Sequence, residues 1–208
     1  MLQYSAVEPG TLDVLKSLMQ IPALKDFNLV GGTALALYFG HRLSVDIDLF
    51  STTDFSNESL IEPLQKNFPE FSYRSTKNPI GLFGYIDNIK VDFVKHHYHP
   101  LIENIVIENG IRVLSIPDIM AMKIAAIMKR GVKKDFWDIA ELLRYYPVQE
   151  FINYYIKKYP GQQLLISVPF ALTYFIDAEE SEDPISLKGQ TWETVKKYIQ
   201  QQVNDFLK

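Results

Sequence analysis

The chain of 208 residues contains no cysteine. That absence removes disulfide frameworks, thiolate zinc sites, iron–sulfur clusters and cysteine nucleophiles together. Its chemistry must come from carboxylates, hydroxyls, lysines, histidines or a hard metal. An excess of positive charge is missing too: 21 Lys and Arg stand against 25 Asp and Glu, for a formal net charge of -4. Any nucleic acid must therefore meet a local basic patch rather than the surface as a whole. Long apolar runs are also lacking. Residues 119–128 (IMAMKIAAIM) and 164–172 (LLISVPFAL) are interrupted by Lys123 and Pro169 and fall short of the roughly 20 residues a membrane helix needs. The opening MLQYSAVEPG has no basic segment leading into an apolar one, so it reads as neither signal nor transit peptide, and a cytoplasmic protein with no membrane role is expected. Apolar material for a core is plentiful, at 47% hydrophobic residues.

No repeat of solenoid period and no low-complexity tract divides the chain, but its character changes near residue 115. Before that point the patterns predict a helix at 11–20, a strand at 27–30, a helix at 33–40, a strand at 44–50 and a helix near 57–67. Three strands follow in FSYRSTK, IGLFGYI and NIKVDFVKH, with turns at Asn78-Pro79 and Asp87-Asn88. Beyond 115 the helical period takes over. Ser115, Pro117 and Asp118 suit a helix start, because proline pre-sets φ and the polar side chains cap free amides. Trp192, Val195, Ile199, Val203 and Phe206 recur every three or four positions and predict an amphipathic helix with one buried face, after an exposed EESED loop at 179–183. Tyr145, Tyr146, Phe151, Tyr154, Tyr155, Phe170, Tyr174 and Phe175 are expected to fill a helical core rather than to form a base-stacking surface. The expected organisation is an α/β (α+β) part at 1–114 and a helical C-terminal subdomain at 115–208.

The most informative stretch is LVGGTALALYFGHRLSVDIDLF, residues 29–50. Gly31 and Gly32 sit between a strand and an Ala/Leu helix, where backbone can approach a ligand closely. The free amides of that helix start, with the Thr33 hydroxyl, would seat phosphate oxygens. Taken alone, the glycines read more readily as just a tight turn, since the full dinucleotide pattern of glycines is absent. Downstream, Asp46 and Asp48 alternate with Val45, Ile47 and Leu49, so a strand would point both carboxylates to one face and the apolar residues to the other. Two such charges repel unless a cation lies between them, and an all-oxygen site suits Mg²⁺ with substrate phosphates. Asp92 stands alone among Val91, Phe93 and Val94, where a charge is costly to bury unless it is paired or metal-bound; by alternation it could instead face solvent. If the two strands are neighbours, three aspartates surround one site, as two-metal phosphoryl transfer requires.

Gly31-Gly32, the spaced Asp46-x-Asp48 and the isolated Asp92 resemble the nucleotidyltransferase superfamily of the polymerase-beta kind. Within it, GGTALAL followed by HRLSVDIDLF is similar to the AbiEii group, the nucleotidyltransferase toxins of abortive-infection and toxin–antitoxin systems. The resemblance implies a mixed β-sheet flanked by helices. It also implies a Mg²⁺-dependent enzyme that transfers NMP from an NTP to an acceptor such as RNA or tRNA, with a protein acceptor open, and an antitoxin partner. Asp46, Asp48 and Asp92 would be its metal ligands.

The resemblance extends over MKIAAIMKRGVKKDFWDIAELL, residues 122–143. Lys123 interrupts an apolar helix, and Arg130, seven residues on, falls on nearly the same helical line. Such a stripe wants an anionic partner, although an exposed lysine could also snorkel. Asp135 and Asp138 lie on adjacent turns of the next helix start. By resemblance, Lys123 binds the nucleotide phosphates, Arg130 supports it, and Asp135 or Asp138 is a further active-site acid. Lys129 to Lys134, with Lys90 and Lys95, form a local basic patch, in which Lys129 and Lys133 read as a solvated turn. His96, His97 and His99 read as a polar loop in preference to a transition-metal site. Two rivals share the motifs: a small-molecule nucleotidyltransferase of the aminoglycoside-modifying sort, and a non-catalytic nucleotide-binding protein.

Overall fold

A computed structural model of the protein describes residues 1–162 and 166–208; the first two residues of the apolar stretch 164–172 lie outside these. Seven strands form one mixed sheet: β1 (Phe27–Val30), β2 (Ile47–Ser51), β3 (Ser72–Tyr73), β4 (Gly81–Ile86), β5 (Ile89–Lys95), β6 (Val106–Glu108) and β7 (Ile111–Val113). Their order is β3-β4-β5-β2-β1-β7-β6, with β2/β5 and β1/β7 parallel and the other pairs antiparallel. In the first part lie α1 (Pro9–Met19), α2 (Gly31–Phe39) and α3 (Glu58–Asn67). They are followed by α4 (Ile116–Ile127), α5 (Lys133–Leu142), α6 (Val148–Lys158), α7 (Val168–Thr173) and α8 (Trp192–Phe206).

Strand pairing follows the sequence pattern. Ile47, Leu49, Val91 and Phe93 are fully buried on one face, while Asp48, Phe50, Lys90 and Asp92 share the other by alternation. Asp87 and Asn88 both adopt positive φ, as a two-residue hairpin turn between β4 and β5 demands. The β6–β7 hairpin was not anticipated, although its Asn109-Gly110 turn, also at positive φ, carries the same signal. β3 is only two residues long within the expected FSYRSTK strand. Asp46 lies just before β2, and Val45 is 46% exposed rather than buried with Ile47 and Leu49, because regular pairing begins only at Ile47.

Ser115 caps α4 by accepting from the Asp118 amide, and the Trp192, Val195, Ile199 and Val203 face of α8 is buried. Phe206, expected on the same face, is the last residue of that helix and is 37% exposed. The aromatic residues of 145–175 divide: Phe151 and Tyr155 are core, whereas Tyr145, Phe170 and Tyr174 lie exposed. α4 stops at Ile127, so Arg130 leaves the helical line of Lys123. Buried side chains of the sheet part and of the helices after 115 form one continuous cluster. α2 lies between them, touching β1 and β2 on one side and α4 and α5 on the other. Among the described residues no helix is long and apolar enough to cross a membrane.

Candidate active site

The β1–α2 junction forms the floor of a pocket of about 310 Å³, whose walls are β2, β5, α4 and the start of α5. Gly31 adopts φ +70°, and a Cβ there would lie 2.5 Å from Asp48 Oδ2. Both features require glycine, because a side chain would be strained and would displace the carboxylate. A Cβ on Gly32 would likewise run into the Arg42 guanidinium. No side chain caps α2, so its first-turn amides remain available to an anion. The Thr33 hydroxyl also holds the local backbone. It is buried, donates to the Asp46 carbonyl and lies 2.8 Å from Ser44 Oγ, which pins the irregular segment carrying Asp46. Thr33 itself lines the pocket beside Gly31 and Gly32.

Asp46, Asp48 and Asp92 all line the pocket. Asp48 and Asp92 are register partners across the parallel β2–β5 pair. Burial raises the Asp48 carboxyl above its ordinary value, and the neighbouring Asp92 charge pushes the same way. One Asp92 oxygen is paired with Lys90; the other, Oδ1, is buried without a hydrogen-bond partner. Asp46 pairs with Lys134 at 2.9 Å. Among the described residues no three His, Asp or Glu converge as a ready-made metal cluster, and Asp46 and Asp92 are each paired with a lysine. Burial opposes the charge of Lys90, yet its contacts with Asp92 hold it above the ordinary lysine value.

The acids of α5 take different places. Asp135 lines the pocket, and its Oδ1 accepts from Lys123 Nζ at 2.6 Å, while Oδ2 is buried without a partner. Asp138 is fully buried behind it. It accepts from Arg42 Nε at 2.7 Å and Nη2 at 3.0 Å, lies 2.7 Å from His41 Nε2, and pairs with Lys123 at 2.7 Å. Although burial alone would raise the Asp138 carboxyl, Arg42, Lys123 and His41 hold it well below the carboxylate range. Lys123 is raised by Asp135 and Asp138 against its own burial. Two of its three ammonium hydrogens thus face Asp135 and Asp138, and the pocket receives what remains. Arg130 is exposed at the rim.

His41, Arg42 and Ser44 were missed by sequence reasoning. They sit inside the quoted GHRLSVDID stretch, and a charged pair between a left-handed Gly40 and a strand was the available signal. His96 is buried against Phe50 and His99, and burial lowers it to about 3, so it is a neutral packing residue.

The family profile described as nucleotidyl transferase AbiEii toxin, type IV TA system, matches residues 13–190. The chain belongs to this family. As an AbiEii-family protein it is a nucleotidyltransferase of a toxin family. A protein of Aquifex aeolicus strain VF5, aq_aa25, is 34% identical over 203 residues, spanning 94% of this chain and 95% of its own length. Two solved structures share the fold. JHP933 from Helicobacter pylori matches with a TM-score of 0.58 and 16% identity, over 95% of this AbiEii-family chain and 92% of its own. MenT4, a nucleotidyltransferase toxin from Mycobacterium tuberculosis H37Rv, matches at 0.58 and 13%, over 92% and 81%.

Proposed function

We propose that this AbiEii-family enzyme transfers NMP from an NTP to RNA, tRNA being the expected acceptor, with Mg²⁺ held by Asp46, Asp48 and Asp92. The observation that carries the reading is the register-matched Asp48–Asp92 pair with its unpartnered Asp92 Oδ1, set at the uncapped start of α2. An all-oxygen donor set, a carboxyl kept above its normal value by burial and then by a like charge, and an unsatisfied buried oxygen fit a divalent cation. When bound, the metal supplies charge neutralisation of the triphosphate and lowers the pKa of the attacking hydroxyl.

The chain's own groups do the rest. The first-turn amides of α2, with Gly31 and Gly32 allowing close approach, receive phosphate oxygens. Lys123, positioned by Asp135 and Asp138, offers its remaining N–H to the charge that develops as pyrophosphate leaves. Arg130 at the rim meets the outer phosphates. Asp138 acts behind the site by orienting Lys123 and Arg42; Asp135 is the acid that faces the nucleotide. In this reading residues 1–114 supply the metal-binding carboxylates and residues 115–208 complete the site. The protein works in the cytoplasm as the toxin of a toxin–antitoxin or abortive-infection system, with a cognate antitoxin.

The test incubates the protein with each labelled NTP, Mg²⁺ and total RNA beside an Asp46→Asn, Asp48→Asn variant. Label entering RNA with the wild type alone is the expected result. Label entering only a small molecule or a protein, or none at all, overturns the RNA reading.

A further inference from the structure

The nucleotide pocket does not end at Phe50. Phe50, Met122 and Ala126 line it and also line a second cavity of about 580 Å³, which runs on between the ends of β2 and β5, α4 and α6. Among the described residues Phe50 is the one aromatic side chain of the first pocket, whereas the second is walled by rings. Centroid to centroid, Phe50 lies 5.3 Å from His96, His96 5.0 Å from His99, and His99 4.7 Å from Tyr159. An unbroken file of rings thus leads from β2 to the end of α6.

The rings of this wall are neutral. Burial and then Lys158 keep His96 down at about 3, and burial lowers His99 in the same sense, so both imidazoles pack as uncharged aromatics near neutral pH. The charge of the cavity is confined to its lysines, Lys95 and the exposed Lys129, and no carboxylate lines it among the described residues. A lysine ammonium donates hydrogen bonds and accepts none. The polar rim therefore suits a ligand edge made of acceptors. Asp48 and Phe50 are successive residues on one face of β2, about 7 Å apart. A nucleotide with its α-phosphate at Asp48 thus carries its sugar past Phe50 and its base into the second cavity.

We propose that this second cavity selects the NTP by its base and that the base it selects is guanine, an inference that rests on the NTP reading above and not on its RNA acceptor. The base stacks on the file of rings that begins at Phe50. Guanine presents O6 and N7 as two adjacent acceptors, and the Lys129 ammonium meets them, with Lys95 beside it. Adenine sets its N6 amino donor where O6 would stand, facing an ammonium that cannot accept from it. Cytosine brings an amino donor as well, and uracil offers one acceptor in place of two. Lys129 is thereby the specificity-determining residue, and Phe50 holds the base without telling one from another.

The test measures, with Mg²⁺ and without RNA, the Kd of a non-hydrolysable analogue of each of the four NTPs and of inorganic tripolyphosphate. It compares the wild type with Phe50→Leu and Lys129→Gln. The GTP analogue is expected to bind the wild type at least ~10-fold tighter than the other three. Lys129→Gln should cut that lead to about 3-fold or less; charge lost near the triphosphate weakens all four analogues alike and cancels in the ratio. Phe50→Leu, which keeps an apolar side chain without a ring, should weaken every analogue roughly 5-fold or more and leave tripolyphosphate binding unchanged. Because Lys129 is exposed, its variant keeps the test readable should Phe50→Leu fail to fold. Four equal Kd values, preference for another base, or a GTP lead that survives Lys129→Gln overturns the proposal. Analogues that bind no tighter than tripolyphosphate overturn it too and leave the triphosphate seat standing. Failure of the analogues and of tripolyphosphate alike to bind overturns the NTP reading with it.

Discussion

Asp48 of β2 and Asp92 of β5 stand side by side on adjacent parallel strands, about 4.8 Å apart in the pairing direction. Burial and the Asp92 charge raise the Asp48 carboxyl. A folded value above the unfolded one means this group stabilises most below about pH 4 and loses its contribution as pH rises through the raised value. As pH rises, the metal-free protein therefore loses that contribution from Asp48. Asp48→Asn should melt higher than wild type in EDTA at pH 7 and should lose the Mg²⁺-induced rise in Tm. Transfer activity should fall at least ~100-fold. Thermal scans with EDTA and with Mg²⁺ check this; a wild-type Tm indifferent to Mg²⁺ would count against a metal at this pair.

Gly31 and Gly189 separate strain from site geometry. Both have positive φ, but a Cβ meets Asp48 at Gly31 and nothing within 4 Å at Gly189. Each alanine substitution should cost roughly 1–2 kcal/mol through the left-handed backbone. Only Gly31→Ala should also lower kcat, by displacing Asp48. Denaturant titration beside single-turnover kinetics reads both effects.

Asp138 is buried with Arg42, His41 and Lys123. Asp138→Ala leaves buried cations unpaired and should cost about 3–5 kcal/mol at pH 7. Because its folded value is depressed, the native carboxylate stabilises fully above about pH 4 and loses that contribution as pH falls further. Urea titrations at pH 7 and pH 3.5 should show the gap between wild type and variant narrowing in acid.

His96 is held near 3 by burial and by Lys158. A depressed folded value means its contribution is present above about 6.5 and is lost as pH falls toward 3. His96→Gln should flatten the stability curve between those limits without changing NMP transfer at pH 7.5, as measured by unfolding across pH and by activity at that one pH.

Local signals in the chain determined the elements that rest on short-range physics. Alternation set β2 and β5, Ser115 and Pro117 started α4, and the spacing of Trp192, Val195, Ile199 and Val203 set α8. The same locality marked Gly31, Asp46, Asp48, Asp92 and Lys123, because charges and glycines out of pattern stand out without any partner in view. What no window of sequence holds is pairing across distance. That β5 is the neighbour of β2, so that Asp48 meets Asp92, depends on a strand order settled by packing. That Asp138 faces Arg42 while Asp135 faces the pocket depends on α2 lying against α5. That the Thr33 hydroxyl donates to the Asp46 carbonyl, 13 residues away, is likewise a matter of the fold. Charge pairing and burial are properties of three-dimensional neighbours, so the residues were legible in the sequence and their roles relative to one another were decided only by the fold.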